Sequence, residues 1–278
     1  MLIHANKIVG CEIDASDGSI GTVDDILFDD QSWTCRYLVA DVGQKLQGRM
    51  VLLSFETVTH IDESLRQVRV PLTKRAIELS PDVTTRNPIS MEAELLLGKY
   101  WQWAPYWEKN MPRTIGENIS ASATLPEKRE AEAEVKSHLR SVGEIEGYHI
   151  AALDGDIGHL QHIIIDDSTW QIEYLIVNTG TWLFQRKVLI PCVSLENISW
   201  AERRVHVSIS RAEIKNSPEY NPGQSIARDY EQALHNHYRK QPYWQAAATA
   251  KSTPKVETPR QESKEPDLRG VVIPKILK

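Results

Sequence analysis

The chain has 278 residues, of which 41% are hydrophobic and 25% are charged, and its formal net charge is −6. This composition excludes global disorder, and the length corresponds to about two domains. No stretch reaches the roughly 18 consecutive apolar residues of a membrane span, and the N-terminus lacks a signal-peptide pattern. The three cysteines form no CxxC pair and suit a reducing compartment, so we expect a cytoplasmic protein.

The charge is distributed unevenly along the chain. Residues 251–278 carry seven Lys or Arg and four Asp or Glu, so the rest of the chain has a formal charge of −9. Nucleic-acid binding needs a basic face that displaces counterions from phosphates. The acidic body therefore argues against nucleic acid as a partner.

An internal repeat with a constant offset of 137 residues dominates the sequence. Residues 10–107 and 147–244 align without a gap and share 31 identities in 98 positions, which indicates one module present twice. The shared residues that we assign to a structural motif are Asp17, Gly18, Gly21, Pro105, Tyr106 and Trp107 in the first copy, and Asp154, Gly155, Gly158, Pro242, Tyr243 and Trp244 in the second.

In chain order, each copy begins with an Asp-Gly hairpin signal and continues as short strands. Strands are predicted at 20–28, 36–42, 50–55 and 67–72 in the first copy, and at 157–165, 173–179, 187–191 and 204–209 in the second. Helices are predicted only afterwards, at 89–101 and 226–238, and Ser210 with Glu213 fits a capping box before a short helical turn. Because no helix separates the strands, the pattern favours a small closed barrel or a sandwich over parallel βαβ units.

The domain organisation follows from the repeat. We expect a first module with a helical extension at 1–107, a polar and partly helical linker at 108–143, a second such module at 144–244, and a disordered tail at 245–278. Since the linker is long and polar, we expect the two modules to be separate folding units.

The motifs of both copies resemble the PRC-barrel family. The resemblance rests on GCEIDASDGSIGTVDDILFDD and RYLVADVG in the first copy, and on AALDGDIGHLQHIIIDD and EYLIVNTG in the second. That family is named for the cytoplasmic domain of the photosynthetic reaction-centre H subunit, and it includes a ribosome maturation factor and stand-alone bacterial proteins. The resemblance implies a mainly β fold, with two tandem small PRC-type β-barrels that each precede a short helical extension. It also implies protein contacts without intrinsic catalysis.

The sequence contains no spacing that demands a reaction, a metal or a cofactor. Adjacent carboxylates at 24–25, 29–30 and 166–167 fit turns and strands better than a general acid–base pair. His159 and His162 are three residues apart on a predicted strand and would face opposite sides of the sheet. The cysteines have apolar or aromatic counterparts, which favours buried thiols. We therefore expect no enzyme activity, no metal and no cofactor.

Aromatic residues that differ between the copies form the candidate partner surface, which comprises Trp101, Trp103, Trp182 and Phe184. Large aromatic side chains often anchor protein partners. The Pro-Tyr-Trp motif is repeated in both copies, which favours packing of each helix onto its own module over a partner anchor.

Our main hypothesis is a non-enzymatic protein-interaction or adaptor protein whose protein partner is unknown. The resemblance also allows a peripheral factor of photosynthetic or electron-transport complexes, and an RNA-processing or ribosome-associated factor is a further alternative. The sequence leaves peripheral membrane association and self-association open. The C-terminal LRGVVIPKILK is either a frayed end or a short docking peptide.

Overall fold

The computed structural model describes residues 1–43, 48–82, 91–103, 138–180 and 186–245. The strands are β1 (Leu2–His4), β2 (Glu12–Ala15), β3 (Gly18–Asp29), β4 (Thr34–Asp41), β5 (Met50–Ser54), β6 (His60–Asp62), β7 (Gln67–Arg69), β8 (Leu139–Ser141), β9 (His149–Ala152), β10 (Gly155–Asp166), β11 (Ile172–Asn178), β12 (Lys187–Pro191), β13 (Leu195–Ser199) and β14 (Arg204–Val207). The helices are α1 (Ala5–Ile8), α2 (Lys74–Leu79), α3 (Met91–Trp101), α4 (Val142–Ile145), α5 (Arg211–Lys215) and α6 (Arg228–Tyr238).

The described strands form two seven-stranded sheets, so the prediction of a mainly β fold is confirmed. One sheet has the order β5-β4-β3-β2-β7-β6 with β8 beside β3, and the other has the order β12-β11-β10-β9-β14-β13 with β1 beside β10. The pairs β2–β7 and β9–β14 are parallel and the other pairs are antiparallel. Within the described ranges no pairing joins the outer strands of either sheet, so a closed barrel is not shown.

Two glycines allow the long central strands to bend. Gly21 of β3 has a φ of +69°, and Gly158 of β10 has a φ of +66°. A Cβ at Gly21 would lie 1.9 Å from the carbonyl oxygen of Asp41, and one at Gly158 would lie 2.0 Å from that of Asn178. The register of each long strand against the preceding strand shifts beside these glycines. Only glycine combines this backbone conformation with so close an approach of the next strand.

The two copies exchange their first strands. β1 of the first copy pairs antiparallel with β10 of the second, with Ile3 opposite Ile165. β8 of the second copy pairs with β3 of the first, with Arg140 opposite Phe28. The two pairings are related by the 137-residue offset, so the exchange is reciprocal. Each sheet is therefore completed by a strand from the other copy.

Polar contacts hold both exchanged strands in place. The backbone N–H of Asp30 donates to the carbonyl of His138, and that of Asp167 donates to the carbonyl of Met1, both at 2.9 Å. The Arg140 guanidinium lies 3.1 Å from the Asp30 carboxylate, and the terminal amino group of Met1 pairs with Asp167. The second carboxylate of each Asp-Asp pair therefore binds the strand that comes from the other copy.

The strands β4 and β11 also meet at their N-terminal ends, through a single antiparallel bridge. The Cys35 N–H donates to the carbonyl of Trp170, and the Ile172 N–H donates to the carbonyl of Trp33, both at 2.8 Å. The centroid of the Trp170 ring lies 4.7 Å from the ring centroid of Phe55 in the other copy. One cluster of buried hydrophobic residues runs through both copies.

Part of the predicted linker belongs to the first sheet. Leu139–Ser141 lies within the predicted linker at 108–143, but it is a strand of the first sheet. The expectation of separate folding units was wrong because each sheet contains a strand of the other copy. Residues 104–137 and 246–278 lie outside the described residues, so the module boundaries at 107 and 245 stay predictions.

Candidate protein-interaction surfaces

A buried polar network attaches helix α6 to the second sheet. The Tyr174 hydroxyl donates to Glu231 at 2.9 Å and lies 3.0 Å from the Nε2 atom of His235. The Tyr243 hydroxyl donates to the same Glu231 oxygen at 3.0 Å. Burial raises the pKa of Tyr174, which keeps this hydroxyl protonated as a donor. The network fixes both the helix and the Pro-Tyr-Trp segment that follows it.

Trp244 packs on α6 of its own copy. Its ring lies 5.2 Å from the His235 ring in an edge-on arrangement, and the Arg228 guanidinium lies 4.1 Å from its centroid. Pro242 is buried, and Trp244 is half-buried. The structure therefore places the second motif against the module itself. The first motif, at 105–107, lies outside the described residues.

The first copy buries the equivalent carboxyl group. Glu94 of α3 is the counterpart of Glu231 and is only 3% exposed. Burial raises the pKa of Glu94 to about 8, and the nearby Asp29 carboxylate adds to this shift while Arg36 opposes it. Burial also raises the pKa of Tyr37, the counterpart of Tyr174. Both copies thus bury a glutamate of the extension helix and a tyrosine of the sheet.

The outer surfaces of the two extensions differ. Leu95 and Leu96 of α3 are 49% and 62% exposed, whereas their counterparts on α6 are Gln232 and Ala233. Leu79 at the end of α2 is also exposed, at 42%. We call Leu95 and Leu96 the leucine face. The Tyr100 hydroxyl of α3 donates a 2.7 Å hydrogen bond to the Ala76 carbonyl of α2, which ties the two helices together.

The aromatic partner surface expected from the sequence is only partly present at the surface. Trp101 was predicted to be part of this surface, but it is only 3% exposed and belongs to the core, as does its counterpart Tyr238 at 2%. The reason is that position 101 lies on the face of α3 that packs on the sheet. Trp103 is half-buried and stacks on Trp101, with centroids 5.3 Å apart. Trp182 and Phe184 lie outside the described residues.

The two Asp-Gly pairs connect each sheet to the helix that follows its strand β7 or β14 in the chain. Asp17 accepts a 2.7 Å hydrogen bond from the backbone N–H of Lys74, the first residue of α2. Asp154 accepts an equal bond from Arg211, the first residue of α5. The glycines after them, Gly18 and Gly155, have φ angles of +119° and +123°, a region that L side chains rarely adopt. These contacts give the motif residues a structural role in both copies. The capping box predicted before α5 is confirmed.

A groove of about 540 Å³ lies where the two copies meet, between α1 and α4. Its walls include four carboxylate side chains and one imidazole, which are Asp24, Asp25, Glu144, Glu146 and His162. Most of these carboxylates already have partners. Asp25 accepts hydrogen bonds from the Ser141 hydroxyl and the Gly143 N–H, and Glu146 lies 2.7 Å from His162. The groove is therefore part of the contact that holds the exchanged strands.

The described residues give little indication of other site chemistry. In these ranges no group of three or more His, Cys, Asp or Glu side chains could share a metal ion. No described helix has the length and apolar character needed to cross a membrane. Cys11 and Cys35 are buried, and burial raises the pKa of both thiols, so neither is an activated nucleophile.

Comparison with known proteins agrees with the repeat. The PRC-barrel domain matches residues 1–77 and 140–214, which together make up more than half of the chain. The second match begins within β8, the exchanged strand of the second copy. No curated protein matches the chain. The split match confirms a tandem duplication, and the chain belongs to the PRC-barrel domain family.

Proposed function

We propose that this chain is a non-enzymatic protein-interaction or adaptor protein, and that the leucine face of the first copy is its main partner surface. The observation that carries the proposal is the difference between matched helices. α3 and α6 occupy equivalent places after their sheets. α3 exposes two leucines, Leu95 and Leu96, at positions where α6 has a glutamine and an alanine. PRC-barrel domains often act as interaction modules, and the sequence contains no reactive motif.

The free energy available from burying this face favours its use as a binding surface. Full burial of one leucine side chain is worth about 1.5–3 kcal/mol, so half-exposed Leu95 and Leu96 together leave a few kcal/mol available to a partner. Exposed apolar patches on helices mark contacts more often than isolated surface leucines do. The expected partner therefore presents an apolar face that packs on α3.

We also propose that each sheet curls into a small PRC-type barrel. Family membership supports this, as does the long strand β3, which pairs with β2 along its first half and with β8 along its second half. The bulge beside Gly21 gives the strand the bend that such a curved sheet needs.

The test of the partner surface replaces Leu95→Gln and Leu96→Ala, which restores the residues of the second copy. The matched control is Leu153→Ser, which replaces another exposed leucine, 68% exposed, by its first-copy counterpart Ser16. Tagged proteins are crosslinked in native lysate and captured, and the partners are quantified by mass spectrometry. We expect one partner protein of the wild type to be absent from the capture with the double variant and present in the capture with the control. The melting temperatures of both variants should equal that of the wild type.

The outcome also separates the alternatives. Loss of a ribosomal protein would favour the ribosome-associated hypothesis, and loss of a photosynthetic or electron-transport subunit would favour the peripheral factor. An unchanged set of captured proteins in the double variant would contradict the assignment of the leucine face.

A further inference from the structure

Two histidines of the second sheet face each other across adjacent strands. His149 of β9 and His159 of β10 are register partners in an antiparallel pair. The Leu160 N–H donates to the Tyr148 carbonyl at 2.8 Å, which makes the histidines a non-hydrogen-bonded pair. In such pairs the side chains point the same way, with Cβ atoms about 4.5–5.5 Å apart.

Both imidazoles lie on the outer surface of the sheet, since His149 and His159 are exposed while Ile150 and Leu160 beside them are buried. The cation nearest to them in register is Arg204, which pairs with His149 on β14. Its guanidinium is held at 3.0 Å by the Asp156 carboxylate.

We propose that His149 and His159 form a two-imidazole site for a divalent transition ion, with Zn²⁺ as its representative. Neutral imidazole is a preferred ligand for Zn²⁺, Ni²⁺ and Cu²⁺, and strands hold two such rings more firmly than loops do. Two protein ligands leave the other positions of the ion to exchangeable water. This site is independent of the leucine face and departs from the expectation that the chain binds no metal.

The first copy provides a natural comparison. Its equivalent positions are Glu12 and Thr22, which are also register partners and also exposed. The Val23 N–H donates to the Cys11 carbonyl at 2.8 Å, so the backbone geometry of the pair is the same. Only the second copy has imidazoles there. The difference between the copies therefore lies in side-chain chemistry and not in the fold.

The experiment measures Zn²⁺ binding by calorimetry on the full chain after treatment with a chelator. The wild type is expected to bind one Zn²⁺ saturably, and His149→Glu with His159→Thr is expected to lose that site. The control His162→Asp, which also restores a first-copy residue, should retain it. The reverse variant, Glu12→His with Thr22→His, should gain a second site of similar affinity.

Circular dichroism without metal checks that each variant folds, which is expected because the introduced residues already occupy these positions in the other copy. The inference is overturned if the wild type shows no saturable site, or if the loss variant binds Zn²⁺ as the wild type does. Failure of the gain variant to add a site would equally contradict the claim that the strand geometry creates it.

Discussion

The strand exchange makes a prediction about where a core substitution acts. Ile3 lies on β1 at the start of the first copy, but it packs opposite Ile165 in the second sheet and is only 2% exposed. Ile3→Ala should therefore destabilise the second sheet before the first, although Ile3 belongs to the first copy. The matched substitution is Leu139→Ala on β8, 1% exposed, which should act on the first sheet.

The size of the effect follows from burial. Replacing a fully buried Ile or Leu by Ala costs about 2–5 kcal/mol, because apolar contacts are lost and a cavity remains. Since about 1.4 kcal/mol is a factor of ten in an equilibrium constant, amides that exchange through opening of this region should exchange about 30-fold faster or more.

Hydrogen exchange followed by mass spectrometry measures this effect in peptides from β10–β11 and β3–β4. We expect Ile3→Ala to accelerate exchange first in β10 and β11, and Leu139→Ala to do so first in β3 and β4. Leu65→Ala, at a side chain that is 65% exposed, is the control and should change neither. Faster exchange confined to each variant's own copy would refute the exchanged arrangement.

Two further predictions concern backbone and charge. Gly158→Ala should lower the melting temperature far more than Gly147→Ala. Both glycines have a positive φ, but only at position 158 would the added Cβ lie against the Asn178 carbonyl. Equal decreases in melting temperature would contradict this account. Burial raises the pKa of Glu94 from 4.5 to about 8, so folding favours its protonated form. Its contribution to stability is therefore full below about pH 4.5 and is lost as the pH rises through about 8. Glu94→Gln should flatten the fall in melting temperature over this range, and an unchanged slope would show that Glu94 is not responsible.

Much of the fold could be predicted because its signals are local. The Asp-Gly turns, the β-branched strands and the constant offset predict β3, β4, β5 and β7 and their counterparts to within a few residues. The exchange could not be predicted in this way. Leu2–His4 and Leu139–Ser141 are too short to show a periodic pattern, and the choice of partner strand depends on contacts far apart in sequence.

The burial of Trp101 did have a sequence signal. Glu94, Leu97 and Trp101 are spaced as residues on one face of a helix, and all three are buried. The difference between Trp101 and its counterpart Tyr238 predicts a partner contact at this position, but both are large side chains that are buried against a sheet. Leu95 and Leu96 differ more, since polar or small residues replace them, and that contrast locates the exposed face.

The histidine pair was missed for a different physical reason. The hairpin pairs Gly155 with Ala152 and Asp156 with Ala151, and a regular continuation would place Gly158 opposite His149. In that register His149 and His159 would lie on opposite faces. The bulge beside Gly158 shifts the register by one residue and brings both imidazoles to the same face. A bulge at a glycine is hard to locate from sequence, so the pair becomes evident only in the structure.

The exchange also affects the adaptor role that we propose. Two modules joined only by a flexible tether would hold their partners at many relative orientations. Here β1 and β8 lie in each other's sheets, and the ends of β4 and β11 are bridged, so the two sheets are held together by backbone hydrogen bonds. The leucine face lies on the first copy and the histidine pair on the second. Because the exchanged strands fix the two sheets relative to each other, whatever binds at one surface is held in a defined position with respect to the other.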